Sequence, residues 1–143
     1  MTKVYGDRYK GYTLKQLCQE MHNYYRGNKT FTLQQELFAK SNMQNYPMTP
    51  EHADYLFMKN ESELVNLDDV KGRIAAEGAL PYPPGVFIVA PGEKWSDIDQ
   101  KYFEVLVGAI ERFPGFVPEI QGVYWDQKAD GKIRVQAEVL KEN

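Results

Sequence analysis

Apolar residues recur at helical spacing in three runs along the first half of the chain. Thr13 and Gln16 stand at the start of the first run with the spacing of a capping box, in which each side chain bonds the other residue's backbone N–H. Thr32 and Gln35 repeat that spacing at the second run, and Thr49, followed by a proline, begins the third. We therefore predict three helices here. Their predicted buried positions are Leu14, Leu17, Cys18, Met21, Tyr24 and Tyr25, then Leu33, Leu37 and Phe38, then Ala53, Leu56 and Phe57.

The middle of the chain changes to shorter apolar runs separated by turn residues. We predict a short strand over residues 63–67 and a buried strand over residues 86–90. Ser96 and Asp99 then have capping-box spacing, which predicts a fourth helix that ends at Phe113. The predicted apolar stripe of this helix is Ile98, Tyr102, Phe103, Leu106, Val107 and Ile110.

The C-terminal part of the chain has the pattern of a β-hairpin. Residues 123–125 are predicted to pair with residues 133–140 across a loop that contains Asp130 and Gly131. Because helices precede most of the strands, the order favours an α+β fold rather than alternating βαβ units. We expect N-terminal helices, then a mixed or antiparallel sheet with one long helix and the C-terminal hairpin. A length of 143 residues predicts one domain, 1–143.

Composition and charge exclude several classes of function. The chain has 17 Lys and Arg against 20 Asp and Glu, a net charge of −3, which argues against a nucleic-acid partner. Its apolar runs are too short for a membrane span. A single cysteine excludes an intrachain disulfide and favours a cytoplasmic location.

The residue types that most often carry chemistry give only weak signals. Cys18 lies on the first predicted apolar stripe, so we interpret it as a small core residue, although His22 follows at the next helical turn. The glycines do not form a phosphate-binding pattern. The sequence therefore gives no reason to assign a nucleophile or a metal site.

Residues 72–85 form an unusual segment, which reads GRIAAEGALPYPPG. Glu77 stands among small apolar residues, and Tyr82 is held between prolines, which fix φ and favour a polyproline-like path over residues 81–85. Such a rigid backbone suits a channel wall or a docking edge. A purely structural crossover, with Glu77 in water, explains the same residues, and the composition leaves both interpretations open.

Three stretches resemble the C-terminal domain of bacterial ornithine decarboxylases, which depend on pyridoxal phosphate. They are residues 11–22 (GYTLKQLCQEMH), residues 72–93 with the segment above, and residues 113–124, and the resemblance runs from about Asp7 to Leu140. The PYPPG motif is also found in the related lysine and arginine decarboxylases, so those substrates remain alternatives. A second alternative is a free-standing, non-catalytic binding module.

The resemblance implies a segment of a large fold-type-I enzyme that converts L-ornithine to putrescine and CO₂ in polyamine biosynthesis. It implies that the catalytic residues and the lysine that binds pyridoxal phosphate lie outside this segment, which binds no cofactor itself. The implied partners are the rest of the same chain, a second subunit of a homo-oligomer and a small amino-acid substrate. The implied role is at the subunit interface and the active-site channel, where Glu77 and Tyr82 would lie nearest the entrance and Arg73 would orient Glu77 or the substrate carboxylate. The candidate channel residues are Arg73, Glu77, Tyr82, Pro83, Pro84 and Gly85.

Overall fold

The computed structural model describes residues 6–42, 46–83, 85–116, 118–127 and 133–142. The helices in these ranges are α1 (Leu14–Gly27), α2 (Thr30–Leu37), α3 (Pro50–Met58) and α4 (Asp97–Arg112), with single 3₁₀ turns at Lys40–Asn42 and Leu67–Asp69. The strands are β1 (Ser62–Asn66), β2 (Leu80–Tyr82), β3 (Glu119–Gln121), β4 (Val123–Gln127) and β5 (Ile133–Leu140). The prediction of an α+β fold is confirmed.

Side-chain caps begin three of these helices, as the sequence predicts. Thr13 at α1 and Ser96 at α4 each form a reciprocal capping box, and the Thr49 side chain accepts from the third residue of α3. These bonds satisfy backbone N–H groups that the first helical turn leaves without a partner. At α4 the Asp99 carboxylate accepts from both the Ser96 backbone N–H and its hydroxyl.

The predicted capping box at Thr32 and Gln35 is wrong. Helix α2 begins at Thr30, three residues before the start that this box predicts, and its N-cap residue is Lys29, which has a left-handed φ of 53°. Thr32 therefore lies inside the first turn of α2. The Thr30 hydroxyl instead donates a hydrogen bond to the Tyr25 carbonyl, near the end of α1. The tight connection between α1 and α2 decides this boundary.

Strand β5 organises the larger sheet, in which the strand order is β1-β5-β4 and both pairings are antiparallel. Strand β1 covers residues 136–140 along one edge of β5, and β4 covers residues 133–137 along the other. The rest of the second edge is taken by residues 74–76, where Ala76 N–H donates to Glu138 O at 3.1 Å and Ile74 O accepts from Leu140 N–H at 2.8 Å. Strand β4 and segment 74–76 therefore follow one another along the same edge.

The C-terminal hairpin is confirmed as the pair β4–β5, while its predicted loop at Asp130 and Gly131 lies outside the described residues. The predicted strand near residues 63–67 is also present, shifted by one residue as β1. A second, two-stranded sheet joins β2 and β3, and the sequence did not predict β3.

Helix α4 packs against the larger sheet and against α2 to form the main core. Trp95 and Phe103 are almost fully buried, with ring centroids 5.5 Å apart. Five of the six predicted stripe positions on α4 are buried and Ile98 is partly buried. A smaller cluster joins α1 to α4 through Leu17, Ala109 and Phe113. Burying each such large apolar side chain stabilises the fold by about 1.5–3 kcal/mol.

Some positions predicted to be buried are exposed. Cys18 is exposed, and Leu14 is 74% exposed, because only the Leu17 side of α1 meets α4. Phe38 and Phe57 are 58% and 40% exposed. An apolar stripe shows that a helix is amphipathic, but the width that is covered depends on its neighbours.

The predictions for residues 81–90 are wrong in part. Instead of a polyproline-like path, Leu80–Tyr82 forms strand β2, and the Tyr82–Pro83 peptide bond is cis. Residues 86–90 do not form the predicted buried strand, since Val86 and Phe87 are 49% and 52% exposed. Val89 is the one buried residue of this run, and it forms a single β-bridge to Ala79. The described ranges contain no helix long and apolar enough to cross a membrane.

The Ser96 cap gives a prediction about stability. Ser96→Ala removes the hydroxyl that accepts from Asp99 N–H, so we expect the free energy of unfolding to fall by about 1 kcal/mol. Ser41→Ala, at an exposed position in a 3₁₀ turn, is the control and is expected to change stability by less than about 0.5 kcal/mol. Urea unfolding measures both, and equal losses would show that the cap contributes nothing particular to α4.

Candidate functional site

Residues 74–79 are held by backbone hydrogen bonds on two sides. Ala75 N–H donates to Glu93 O at 2.8 Å, and Ala79 N–H donates to Val89 O at 2.9 Å. On the other side, Ala76 N–H donates to Glu138 O on β5. Glu77 lies between these fixed points and is partly buried. Its backbone is therefore well positioned although the residue belongs to no regular strand.

Two glycines allow β4 to begin directly against this segment. Gly122 has a φ of 73°, which an L side chain rarely adopts, and a Cβ atom there would lie 2.1 Å from Gly78 O. A glycine is therefore required at position 122. Two residues later, the Tyr124 hydroxyl donates a hydrogen bond to Glu77 Oε2. The close backbone approach and this side-chain bond form one corner of the molecule, which we call the Glu77–Tyr124 corner.

The Glu77–Tyr124 corner carries negative charge. The hydrogen bond to Glu77 is the largest cause that raises the pKa of Tyr124, to about 12, followed by partial burial and by the charges of Glu77 and Glu138. The phenol is therefore a proton donor at every physiological pH. Tyr124 is 48% exposed, so the corner remains open to solvent. Carboxylates in such a position can attract an ammonium group.

Arg73 is engaged away from Glu77. Its Nη2 lies 2.6 Å from Glu63 Oε1 and donates to Leu140 O at 2.9 Å, and its Nε lies 3.4 Å from a Glu142 carboxylate oxygen. The side chain is only 15% exposed. These contacts tie the start of the segment to β1 and to the end of β5, whereas the resemblance implied a bond to Glu77 or to the substrate.

Tyr82, Pro83 and Gly85 lie together at the turn after β2. Tyr82 is 52% exposed and pairs with Glu119 of β3. Gly85 has a φ of 79°, its N–H donates to Pro81 O at 3.1 Å, and a Cβ there would lie 3.1 Å from the Tyr82 ring. Pro83 is exposed, and Pro84 lies outside the described residues. The channel role of all these residues stays a prediction.

Sequence reasoning missed Tyr124. The alternation of the β4 residues places Val123 inside and Tyr124 outside. That pattern indicates an exposed phenol but names no partner. Glu77 is 47 positions away, and only the approach of Gly122 to Gly78 brings the two side chains together.

An apolar groove of about 330 Å³ lies on a different surface, between α2 and the turn after β2. Phe31 on its rim is 73% exposed and Phe38 is 58% exposed. None of its lining residues carries a charge. The groove is lined by Phe31, Gln34, Gln35, Phe38, Pro81, Val86, Ile88 and Tyr102. Contiguous apolar surface of this kind commonly marks a contact with another protein surface.

Groups of ionisable ligands for a metal ion are absent from the described part of the chain, where no three His, Cys, Asp or Glu side chains come close enough to hold one. Cys18 and His22, which lie one helical turn apart on α1, are both exposed.

The Tyr124 pKa gives a prediction about pH. The phenol is expected to ionise at about pH 12. Glu77→Gln is expected to lower this value toward the ordinary 10, because a neutral amide oxygen accepts a weaker hydrogen bond than a carboxylate and carries no charge. The pKa of Tyr124 is higher in the folded protein than in the unfolded chain. The hydrogen bond from Tyr124 to Glu77 therefore stabilises the fold fully below about pH 10, and this stabilisation is lost as the pH rises through about 12. The ionisation of Tyr124 is measured by subtracting the phenolate absorbance titration of Tyr124→Phe from that of the parent chain. Glu51→Gln is the control and should leave the pKa of Tyr124 unchanged. An unchanged Tyr124 pKa in Glu77→Gln would contradict the assignment of Glu77 as the cause of the raised value.

Comparison with known proteins places this geometry in a family. The chain is 53% identical, over 87% of its length, to the inducible ornithine decarboxylase of Lactobacillus sp. strain 30a, and 52% identical, over 94%, to the ornithine decarboxylase of Haemophilus influenzae. The inducible lysine decarboxylase of Escherichia coli is more distant, at 34% identity over 94% of the chain. The chain spans only 17%, 19% and 18% of these three proteins, so it corresponds to less than a fifth of each.

The fold agrees with solved structures of the same kind. Lysine decarboxylase A from Pseudomonas aeruginosa matches 97% of this chain with a TM-score of 0.85 and 29% identity, over 19% of that protein's chain. The family model described as "Orn/Lys/Arg decarboxylase, C-terminal domain" matches residues 31–141. The chain therefore belongs to the Orn/Lys/Arg decarboxylase family, in which it corresponds to the C-terminal domain.

Proposed function

We propose that this chain is the C-terminal domain of an ornithine decarboxylase, an enzyme that removes the carboxylate of L-ornithine as CO₂ and leaves putrescine. One observation carries the choice of substrate. Four ornithine decarboxylases are 47–53% identical to the chain, whereas lysine decarboxylases are 31–34% identical. The choice between the two substrates, which differ by one methylene, is made at a site we place elsewhere in the enzyme.

The cofactor of the proposed enzyme is pyridoxal phosphate, which accepts the electrons that the departing CO₂ leaves behind. The residues of this chain do not fit as its anchor. A lysine that forms an imine with the cofactor needs a desolvated site or a cationic neighbour, and every lysine in the described ranges is exposed. We therefore assign the cofactor to the remainder of the enzyme and derive no catalytic step from this domain.

The Glu77–Tyr124 corner supports a role for this domain in substrate access. L-ornithine carries two ammonium groups and one carboxylate, so a negative surface near the channel entrance would raise its local concentration. Glu77 is partly exposed and lies on a fixed backbone, and the negative charge of Glu138 also acts on its partner Tyr124. We propose that Glu77 contributes to this entrance, with Tyr82, Pro83, Pro84 and Gly85 as part of its wall.

The apolar groove supports the proposed assembly of this domain with the body of the enzyme. Its curated relatives are about five times as long as the chain, so in the proposed enzyme a large tethered body would be available to cover it. Tethering keeps that body at an effective concentration in the millimolar range. Because the lining is uncharged, the surface that fits is apolar. We propose that the body of the same polypeptide covers the groove, in a cytoplasmic homo-oligomer that acts in polyamine biosynthesis.

Substrate preference tests the proposed function. The full-length enzyme that contains this domain is expected to release CO₂ from L-ornithine with a kcat/KM about 10- to 200-fold higher than from L-lysine, the range that one methylene allows. L-arginine is the third substrate to assay. Equal or higher efficiency with lysine or arginine would contradict the proposed substrate.

The isolated 143-residue chain tests where the chemistry lies. We expect it neither to release CO₂ from ornithine nor to develop visible absorbance near the imine band when pyridoxal phosphate is added. Either signal would show that the catalytic residues have been placed in the wrong part of the enzyme.

Protection of the groove tests the proposed assembly. In a Cys18→Ser background, Phe31→Cys is expected to react with a thiol reagent on the order of tenfold or more slowly in the full-length enzyme than in the isolated chain, since a covered thiol reacts only when the contact opens. Mass spectrometry of the peptide that contains residue 31 measures both rates. Equal rates would show that the groove stays open in the enzyme and would contradict the proposed assembly.

A further inference from the structure

We propose that Tyr124 is a positioning residue for substrate capture, which holds the Glu77 carboxylate in the orientation that receives an ammonium group of the substrate. The inference rests on the proposed function, because it takes Glu77 to lie at the channel entrance. It gives a role to a residue to which the resemblance assigned none, on a strand that is distant from Glu77 in sequence.

The backbone fixes both ends of this contact. Residues 74–76 and β4 occupy the same edge of β5, so Glu77 leaves that edge close to where β4 begins. Gly122 allows β4 to touch Gly78, the residue after Glu77. The separation of Glu77 from Tyr124 is therefore set by main-chain contacts rather than by flexible side chains.

The phenol determines which carboxylate oxygen is occupied. The Tyr124 hydroxyl donates to Oε2 of Glu77. A carboxylate has two oxygens and about four lone-pair directions, so one phenol leaves Oε1 able to accept from an ammonium group. Without the phenol, the Glu77 side chain is free to sample several rotamers, and the entropy of ordering it must be lost when the substrate arrives.

The phenol is also suited to remain a donor during function. Its ionisation lies far above neutral pH, so the hydrogen bond to Glu77 has the same direction throughout the physiological range. Phenylalanine keeps the ring, which is half-exposed on β4, and removes the donor alone. Tyr124→Phe therefore isolates the positioning effect from packing.

The test uses the full-length enzyme with L-ornithine and the variants Tyr124→Phe, Glu77→Gln and the double variant. For Tyr124→Phe we expect KM to rise about 3- to 10-fold with kcat within about twofold, the range for one lost hydrogen bond of ordinary net strength. In the Glu77→Gln background the same change is expected to add less than about twofold, because orienting a neutral amide does not attract an ammonium group. Tyr55→Phe, at another half-exposed tyrosine on α3, is the control and should leave KM unchanged.

A second readout does not depend on turnover. The product putrescine carries two ammonium groups like those of ornithine. Calorimetry should therefore show the Kd of putrescine rising in Tyr124→Phe by about the same factor as KM. A merely structural loss would reduce the amount of active enzyme, and hence kcat, and would leave KM and this Kd in place.

The outcomes separate the two proposals. If Glu77→Gln raises KM while Tyr124→Phe leaves both KM and the diamine Kd unchanged, the positioning role is wrong and the entrance role of Glu77 stands. If Glu77→Gln leaves kcat/KM unchanged in an active ornithine decarboxylase, the entrance role of Glu77 fails and the positioning role fails with it.

Discussion

The contact between the Gly122 backbone and the Gly78 carbonyl is the constraint on which the arrangement of this domain depends. A Cβ atom at position 122 would lie 2.1 Å from that oxygen, which no packing adjustment between two backbones can accommodate. With glycine there, the C-terminal hairpin lies directly against residues 75–79 and its second residue reaches Glu77. A bulkier residue would separate the hairpin from the segment and remove the Glu77–Tyr124 corner.

Strand β5 explains why that contact forms at this place. It pairs with β1 along one edge and is shared along the other by β4 and residues 74–76. Parts of the chain that lie about 50 residues apart therefore meet along one line. The core beneath them, with Trp95 and Phe103 at its centre, keeps α4 against the same sheet. Residues 74–79 are thus positioned by the sheet and by their backbone hydrogen bonds rather than by the prolines that follow them.

Three of the four helix starts that short-range signals predicted are present, and the box at Thr32 is not. The boxes at Thr13 and Ser96 and the proline start after Thr49 each depend on bonds within one helical turn, and all three are present. The C-terminal hairpin, predicted from its alternating residues and turn signal, is likewise present as β4 and β5. The burial of individual side chains was less predictable, because it depends on which other helix or strand packs against them. Cys18 and Phe38 lie on apolar stripes, yet no helix or strand of the described ranges buries them. Residues 86–90 read as a buried strand but form a single bridge.

By itself, the sequence determined the α+β order of elements, three of the four helix starts, the hairpin and the family, since these depend on local spacing or on strings of identical residues. Only the tertiary structure decided which side of each helix is covered, that Arg73 is tied to Glu63 and to the end of β5, and that Tyr124 is the partner of Glu77. These depend on contacts between residues far apart in the chain. Such contacts require the sheet edges and the close approach of two glycines, and neither is encoded in the neighbourhood of any single residue.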